Sequence, residues 1–205
     1  MDWAELDAAE LVALARAHED PDGHLPVPDV VGWDIFPWEG ELRPRRLRDP
    51  EPEPPRHGED GPAGCHACQH PPEGLVWSDG GWRLTVPAGG PVPTFVLHPV
   101  EHLDLGDLDE AQAADLGVVV VRVERAIAAV PGVGRVHVSR FGDGGAHLHV
   151  FLFARPAGLL QLRGSCLTDW EDILPPLPPE RWTAIARSVG QRLATWRGEA
   201  GPGPG

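Results

Sequence analysis

Residues 135–155 read RVHVSRFGDGGAHLHVFLFAR, and the organisation of the chain follows from this stretch. Two runs suited to strands, Arg135–Phe141 and Ala146–Phe153, flank the turn Gly142-Asp143-Gly144-Gly145. Valine and phenylalanine favour pleated backbone, and clustered glycines favour reversal. Side chains two apart on a strand share a face, so His147 and His149 look to the same side. One imidazole can then take a metal while its neighbour faces the same cavity. Gly144 and Gly145 let a ligand approach the backbone and leave N–H groups free for an anion. Taken alone, the pair reads equally well as two partly exposed histidines. His137 faces sideways on its strand and reads as structural.

Upstream, a long helix is expected from about Asp107 to Val130. Asp107 can cap it, Glu110 completes a capping-box-like start, and Pro131-Gly132 stops it. Before the helix, strands at Gly74–Ser78 and Trp82–Pro87 are joined by Asp79-Gly80-Gly81, a hairpin turn. A third strand, Thr94–His98, leads into Pro99-Val100-Glu101-His102. Earlier still stands Cys65-His66-Ala67-Cys68. This spacing brings two thiolates to one point and suits tetrahedral zinc. It also occurs in redox sites, where it opens a helix after a strand. Here it follows a proline-rich coil and precedes Gln69-His70-Pro71-Pro72, a poor helix start, which favours metal. His66, His70 and His98 stand near enough in sequence to replace a ligand.

The ends decorate this centre, giving three expected parts: 1–64, 65–155 and 156–205. Residues 3–18 read as a helix, with Trp3, Leu6, Leu11, Leu14 and Ala15 near helical spacing. Residues 19–64 read as an extended, proline- and acid-rich arm, whose patch GWDIFPWEGEL at 32–42 is apolar enough to dock. The C-terminal part holds a segment around Trp170, a proline-rich stretch, a helix at about 179–197 and a disordered GPGPG tail. Trp170, Trp182 and Trp196 are expected to pack this part over the sheet, and Cys166 to be a buried small residue.

The chain has 205 residues and a net charge of −14, and all 17 basic residues are arginine. Such an acidic surface repels phosphate backbones, so no polynucleotide partner is expected. A small phosphorylated ligand in a local pocket remains compatible. No apolar run approaches the roughly 18 residues that span a bilayer, so no membrane partner is expected. The acidic, amphipathic start MDWAELDAAELVALARAHED lacks the pattern of a secretory leader, and the expectation is a cytoplasmic protein. Three cysteines are too few, and odd in number, for a disulfide framework.

The order C-x-x-C, hairpin, strand, P-x-x-H, long helix, strand, glycine turn, H-φ-H resembles the histidine-triad (HIT) superfamily, including its galactose-1-phosphate uridylyltransferase branch. The resemblance covers about residues 65–155. It implies an α+β fold, an antiparallel sheet with a long crossing helix, here with N- and C-terminal extensions. It implies a structural zinc on Cys65, Cys68, His102 and His147, and His149 as nucleophile toward the α-phosphorus of a nucleotide. An imidazole is largely neutral at pH 7 and competent in that role, given a carbonyl partner that fixes its tautomer. Pairing through the long helix and the sheet edge implies a homodimer, with the arm at 19–64 as a competing cover for that surface. Some family positions differ. Phe151 replaces the third histidine, the phosphate-binding asparagine is absent with Arg140 near its place, and no ribose-binding aspartate stands around Leu84-Thr85-Val86. Candidate substrate contacts are therefore Arg140, Gly144, Gly145, Arg155, Gln161, Arg163 and Ser165. Two readings follow: a nucleotidyl hydrolase or transferase, or a catalytically degenerate domain that binds a phosphorylated ligand or a protein partner.

Overall fold

In a computed structural model, residues 8–70, 72–87 and 89–204 are described. The chain forms two compact units, Met1–Pro54 and Pro55–Gly205. In the first, helix α1 spans Ala8–Ala17 with Val12 buried, and a single 3-10 turn lies at Asp29–Gly32. Leu11 and Leu14 are exposed, and Trp3 and Leu6 lie outside the described residues. Within the 32–42 patch Phe36 meets Trp38 edge-on at 5.2 Å, while Trp33 and Trp38 remain exposed.

The second unit is α+β, the class expected. Its strands are β1 (Leu75–Ser78), β2 (Trp82–Thr85), β3 (Thr94–Pro99), β4 (Val133–Ser139), β5 (Val150–Pro156) and β6 (Glu199–Ala200). They form one antiparallel sheet in the order β4-β5-β3-β2-β1-β6. Helices are α2 (His66–Gln69), α3 (Glu110–Ala128), α4 (Leu167–Glu171) and α5 (Pro179–Ala194).

Helix α3 contains Val118-Val119-Val120-Val121, a run whose χ1 restriction disfavours helix. Burial overrides that preference. Val119, Val123, Ala126 and Ile127 recur at helical spacing and pack on one sheet face, against Phe95, Leu97, Leu84 and Leu152. Each such fully buried side chain contributes about 2 kcal/mol, several times the propensity cost. Helix α5 joins the same layer through Trp182, Ala186, Val189 and Leu193. It approaches β1 at Gly190, where a Cβ would lie 2.3 Å from the Val76 carbonyl oxygen, so only glycine fits.

Four boundaries differ from expectation. Helix α3 starts later because Asp109, not Asp107, is its cap, in a reciprocal box with Gln112. Asp107 instead closes a preceding 3-10 turn by accepting from the Asp104 N–H. The CHAC loop does form a helical turn, α2, although prolines follow it. Strand β5 begins at Val150, so His147 and His149 lie just before the ladder; the intervening Leu148 N–H bonds the Leu103 carbonyl instead. The tail expected to be disordered continues β6: the Gly201 and Gly203 N–H groups donate to Val76 and Leu75 carbonyls.

The opposite sheet face is partly covered by the C-terminal segment. Leu162 and Leu167 bury Phe153 and Val92 there, with Phe151, Trp170 and Leu174 at the margin. Cys166 is buried and free. The expected packing role of the tryptophans holds: Trp182 is buried in the main core, Trp196 stacks on Trp77, and Trp170 packs in the second cluster.

Candidate metal centre and reactive histidine

The fold brings Cys65, Cys68, His102 and His147 together, with one ligand atom from each lying within 4.8 Å of the others. Helix α2 presents both thiols, His102 follows β3, and His147 precedes β5. The Nδ1 of His147 lies 3.5 Å from Cys65 Sγ and 3.4 Å from Cys68 Sγ, and His102 Nδ1 lies 3.4 Å from Cys68 Sγ. A tetrahedral ion bonded at about 2.3 Å to sulfur and about 2.0 Å to nitrogen spaces an S···N pair about 3.5 Å apart. The cluster already has that spacing. Both imidazoles are also turned the right way. His102 Nε2–H donates to the Gly58 carbonyl and His147 Nε2–H to the Pro99 carbonyl, each at 3.0 Å, leaving both Nδ1 lone pairs facing the thiols. Burial, with the neighbouring Cys65, pushes the Cys68 thiol up. With both imidazole lone pairs turned toward the two sulfurs, the four side chains form a donor set that could hold a metal ion.

The segment before α2 braces this cluster, which the sequence reading missed. His57 pairs with Gly145: its N–H donates to the Gly144 carbonyl, and its carbonyl accepts from Ala146. Gly58 then turns with φ +80°, and a Cβ there would sit 2.8 Å from Cys65 Cβ and 3.0 Å from His102 Cε1. Gly58→Ala is expected to cost about 2 kcal/mol, roughly 4–8 °C in Tm, and to speed metal loss to a chelator. Melting and chelation curves that overlay the parent's would contradict this.

Asp104 holds the same region from the other side. It takes hydrogen bonds of 2.6 Å from both Arg56 and Arg140. Burial alone would raise its carboxyl. The Arg56, Leu105 N–H and Arg140 hydrogen bonds outweigh that and lower it from 3.8 to about 2. A depressed carboxyl stabilises the fold above its unfolded pKa, and the contribution fades as pH falls toward the folded value. Asp104→Asn should therefore melt below the parent at neutral pH, with the gap constant above about pH 5 and closing toward pH 2. A gap independent of pH would overturn the assignment.

His149 sits beside this centre. Its Nδ1–H donates to the His147 carbonyl at 2.8 Å, which fixes the tautomer with Nε2 free. Phe151 packs edge-on against it at 5.4 Å. His98, next after Leu97 at the end of the β3–β5 ladder, lies near enough to His149 to feel its charge. His98 pairs in turn with Arg83 on β2 and contacts Thr85 Oγ1 through Nε2. Burial, with the charges of Arg83, His147 and His149, lowers His98 to about 3, so it stays neutral. A cavity of about 420 Å³, lined by His66, His70, Glu73, Arg83, Thr85 and His98, opens along this row.

Three of the seven expected substrate contacts, Arg140, Arg155 and Arg163, donate to groups of the protein itself. Arg140 pairs with Asp104, while Gly144 accepts from the His57 N–H through its carbonyl. Arg155 is buried and donates to the Pro156 and Leu159 carbonyls. Gln161, Arg163 and Ser165 are exposed, with Arg163 bonded to the Leu160 carbonyl and the Ser165 carbonyl accepting from Thr168. Local carbonyl and carboxylate acceptors claim the three arginines, which spacing along the chain does not reveal.

No protein-family model and no curated protein matches the chain. Solved structures do. The chain is similar to a histidine triad protein from Sinorhizobium meliloti (18% identity, TM-score 0.48), over 58% of this chain and 90% of that one. It is similar to a zinc-bound histidine triad family protein from Mycobacterium smegmatis (16%, TM-score 0.47), over 64% and 93%. A histidine triad protein from Bradyrhizobium japonicum matches at 21% identity and TM-score 0.46, over 57% and 98%. Among the described residues no helix is long and apolar enough to cross a membrane.

Proposed function

We propose that the protein is a nucleotidyl hydrolase or transferase of histidine-triad type, with His149 as nucleophile and a structural zinc on Cys65, Cys68, His102 and His147. The observation that carries this reading is the bond from His149 Nδ1–H to the His147 carbonyl. It leaves Nε2 as the only ring lone pair, on a residue anchored two positions from a metal ligand. Zinc with four protein ligands has no open position and takes part in no step. Free thiols in that site suit a reducing compartment, the cytoplasm.

In the reaction, His149 Nε2 attacks the α-phosphorus of a nucleotide. A P–N bond forms as the bond to the leaving group breaks, and the leaving group carries off the electron pair. Water or another acceptor then attacks phosphorus, loses its proton to solvent and restores His149. Arg83, on β2 next to His98, lines the neighbouring cavity and spends one Nη2 hydrogen bond on the Ala67 carbonyl; its other N–H groups are the cationic donors proposed for the phosphorylated end of the substrate. Phe151 cannot protonate a leaving group, so weakly basic leaving groups should turn over fastest.

The test is a panel of nucleoside phosphoramidates, dinucleoside polyphosphates and nucleotide sugars. Release of a nucleoside monophosphate supports the enzyme. Phe151 specifically favours the second reading, a degenerate domain that binds a phosphorylated ligand or a protein. Tight binding of a nucleotide with no turnover across the panel would establish that reading instead.

We also propose a homodimer. Strand β4 is an edge of the sheet, and Val138 on it and Val118 and Val121 on α3 are each 45–50% exposed. Light scattering should give twice the chain mass, and Val121→Glu with Val138→Glu should halve it. A monomeric parent protein would refute the dimer.

A further inference from the structure

A second cavity, of about 400 Å³, lies on the same sheet face as His149, with Phe151 as the shared wall. Phe141, Phe151 and Phe153 line it, with Trp182 beyond them, and Glu171, Asp172 and Thr94 supply its side-chain polar groups. No arginine or histidine is among its lining residues.

Its hydrogen-bonding character is one-sided. The Thr94 hydroxyl is committed inside the protein, 2.7 Å from Glu171 Oε1 and 3.0 Å from the Val92 carbonyl. The Trp182 indole N–H is committed to the Gly90 carbonyl. What remains toward the cavity is acceptor capacity, the carboxyls of Glu171 and Asp172, set among aromatic rings. A phosphate or carboxylate would find no cationic side chain and two like charges. An apolar neutral group would leave a half-buried carboxyl without a counter-charge. An ammonium or guanidinium on an apolar arm satisfies both, because aromatic faces attract cations as carboxylates do. We infer that this cavity binds an organic cation, a positively charged group carried on an apolar or aromatic body.

Burial, reinforced by the charge of Asp172 and opposed by the Thr94 hydrogen bond, raises the Glu171 carboxyl. A cation seated against it would reverse that shift. The site's distance from the reactive histidine gives it a role. Thr94 pairs with Phe153, four residues along the chain from His149, or about 13 Å at about 3.3 Å per residue. A leaving group that departs at phosphorus and ends in a positive charge would span that gap. This role, unlike the binding itself, rests on the nucleotidyl-transfer reading.

The test uses the full, metal-loaded chain and three probes of one shape: 2-phenylethylammonium, 2-phenylethanol and 3-phenylpropanoate, titrated by calorimetry and NMR. The ammonium should bind about ten-fold or more tightly than the alcohol, and the acid should not bind. Glu171→Gln should lose that preference, as should Asp172→Asn in part, a surface change that keeps the fold. His149→Ala should bind the cation unchanged, so silence in the turnover panel leaves this inference standing. Equal affinity for ammonium and alcohol would overturn it, as would full cation preference in both carboxyl variants.

Discussion

Cys65→Ser and Cys68→Ser should each lower Tm by roughly 10–20 °C and leave the purified chain without its metal. The size of this effect follows from what the cluster joins. One short helical turn, the loop after β3 and the segment before β5 converge on it; Leu148 anchors the last of these in the main core, while the helical turn buries no residue. Of the four ligands only Cys65 and His147 are fully buried, and His102 and Cys68 are half-buried. Hydrophobic burial therefore offsets little of the ordering entropy of the helical turn itself. Under the proposed zinc site, coordination supplies the difference, as it does in small zinc-dependent folds. A chelator should reproduce the effect in the parent protein, and one equivalent of zinc should reverse it. Elemental analysis should find one metal per chain in the parent and none in either variant. A parent that keeps its Tm after complete demetallation would show that the cluster is not what holds this end of the sheet.

His149→Ala should behave in the opposite way. Turnover should fall by about 10³-fold or more, because the nucleophile is removed rather than weakened. Metal content should match the parent and Tm should stay within about 2 °C of it, since the side chain's polar contact is one hydrogen bond to the nearby His147 carbonyl. The pair of results separates the roles of two histidines only two residues apart. His147→Ala should lose metal and stability together with activity. If His149→Ala retained turnover, nucleophilic attack by this residue would be excluded whatever the metal did.

Much of this arrangement was legible in the sequence, for a physical reason. Candidate metal ligands and turn residues leave short, discrete signatures, so CHAC, P-x-x-H and H-φ-H, taken with the family resemblance they carry, pointed to the four donors now found together. The period of α3 and the hairpin glycines gave the α+β layering. What escaped was set by contacts between distant segments. Nothing local marks His57 as the partner of Gly145, or Asp104 as the shared acceptor for Arg56 and Arg140. Arg155 looked free because its backbone-carbonyl partners become acceptors only after β5 turns at Pro156. The tail looked disordered because glycine and proline disfavour strand interiors, yet here only its N–H groups at Gly201 and Gly203 are needed to extend the edge beside β1. Arg83, Thr85 and His98 carried a signal that went unused, since alternate residues on paired strands face one way.

The most direct test of the central claim is to trap the covalent intermediate. The zinc-loaded protein is mixed with a dinucleoside polyphosphate, quenched within seconds at alkaline pH where phosphohistidine bonds persist, and mapped by intact and peptide mass. The account predicts one added nucleotidyl group on the peptide that carries His149, and none in His149→Ala. Turnover with no adduct at any quench time, or an adduct on another residue, would contradict it.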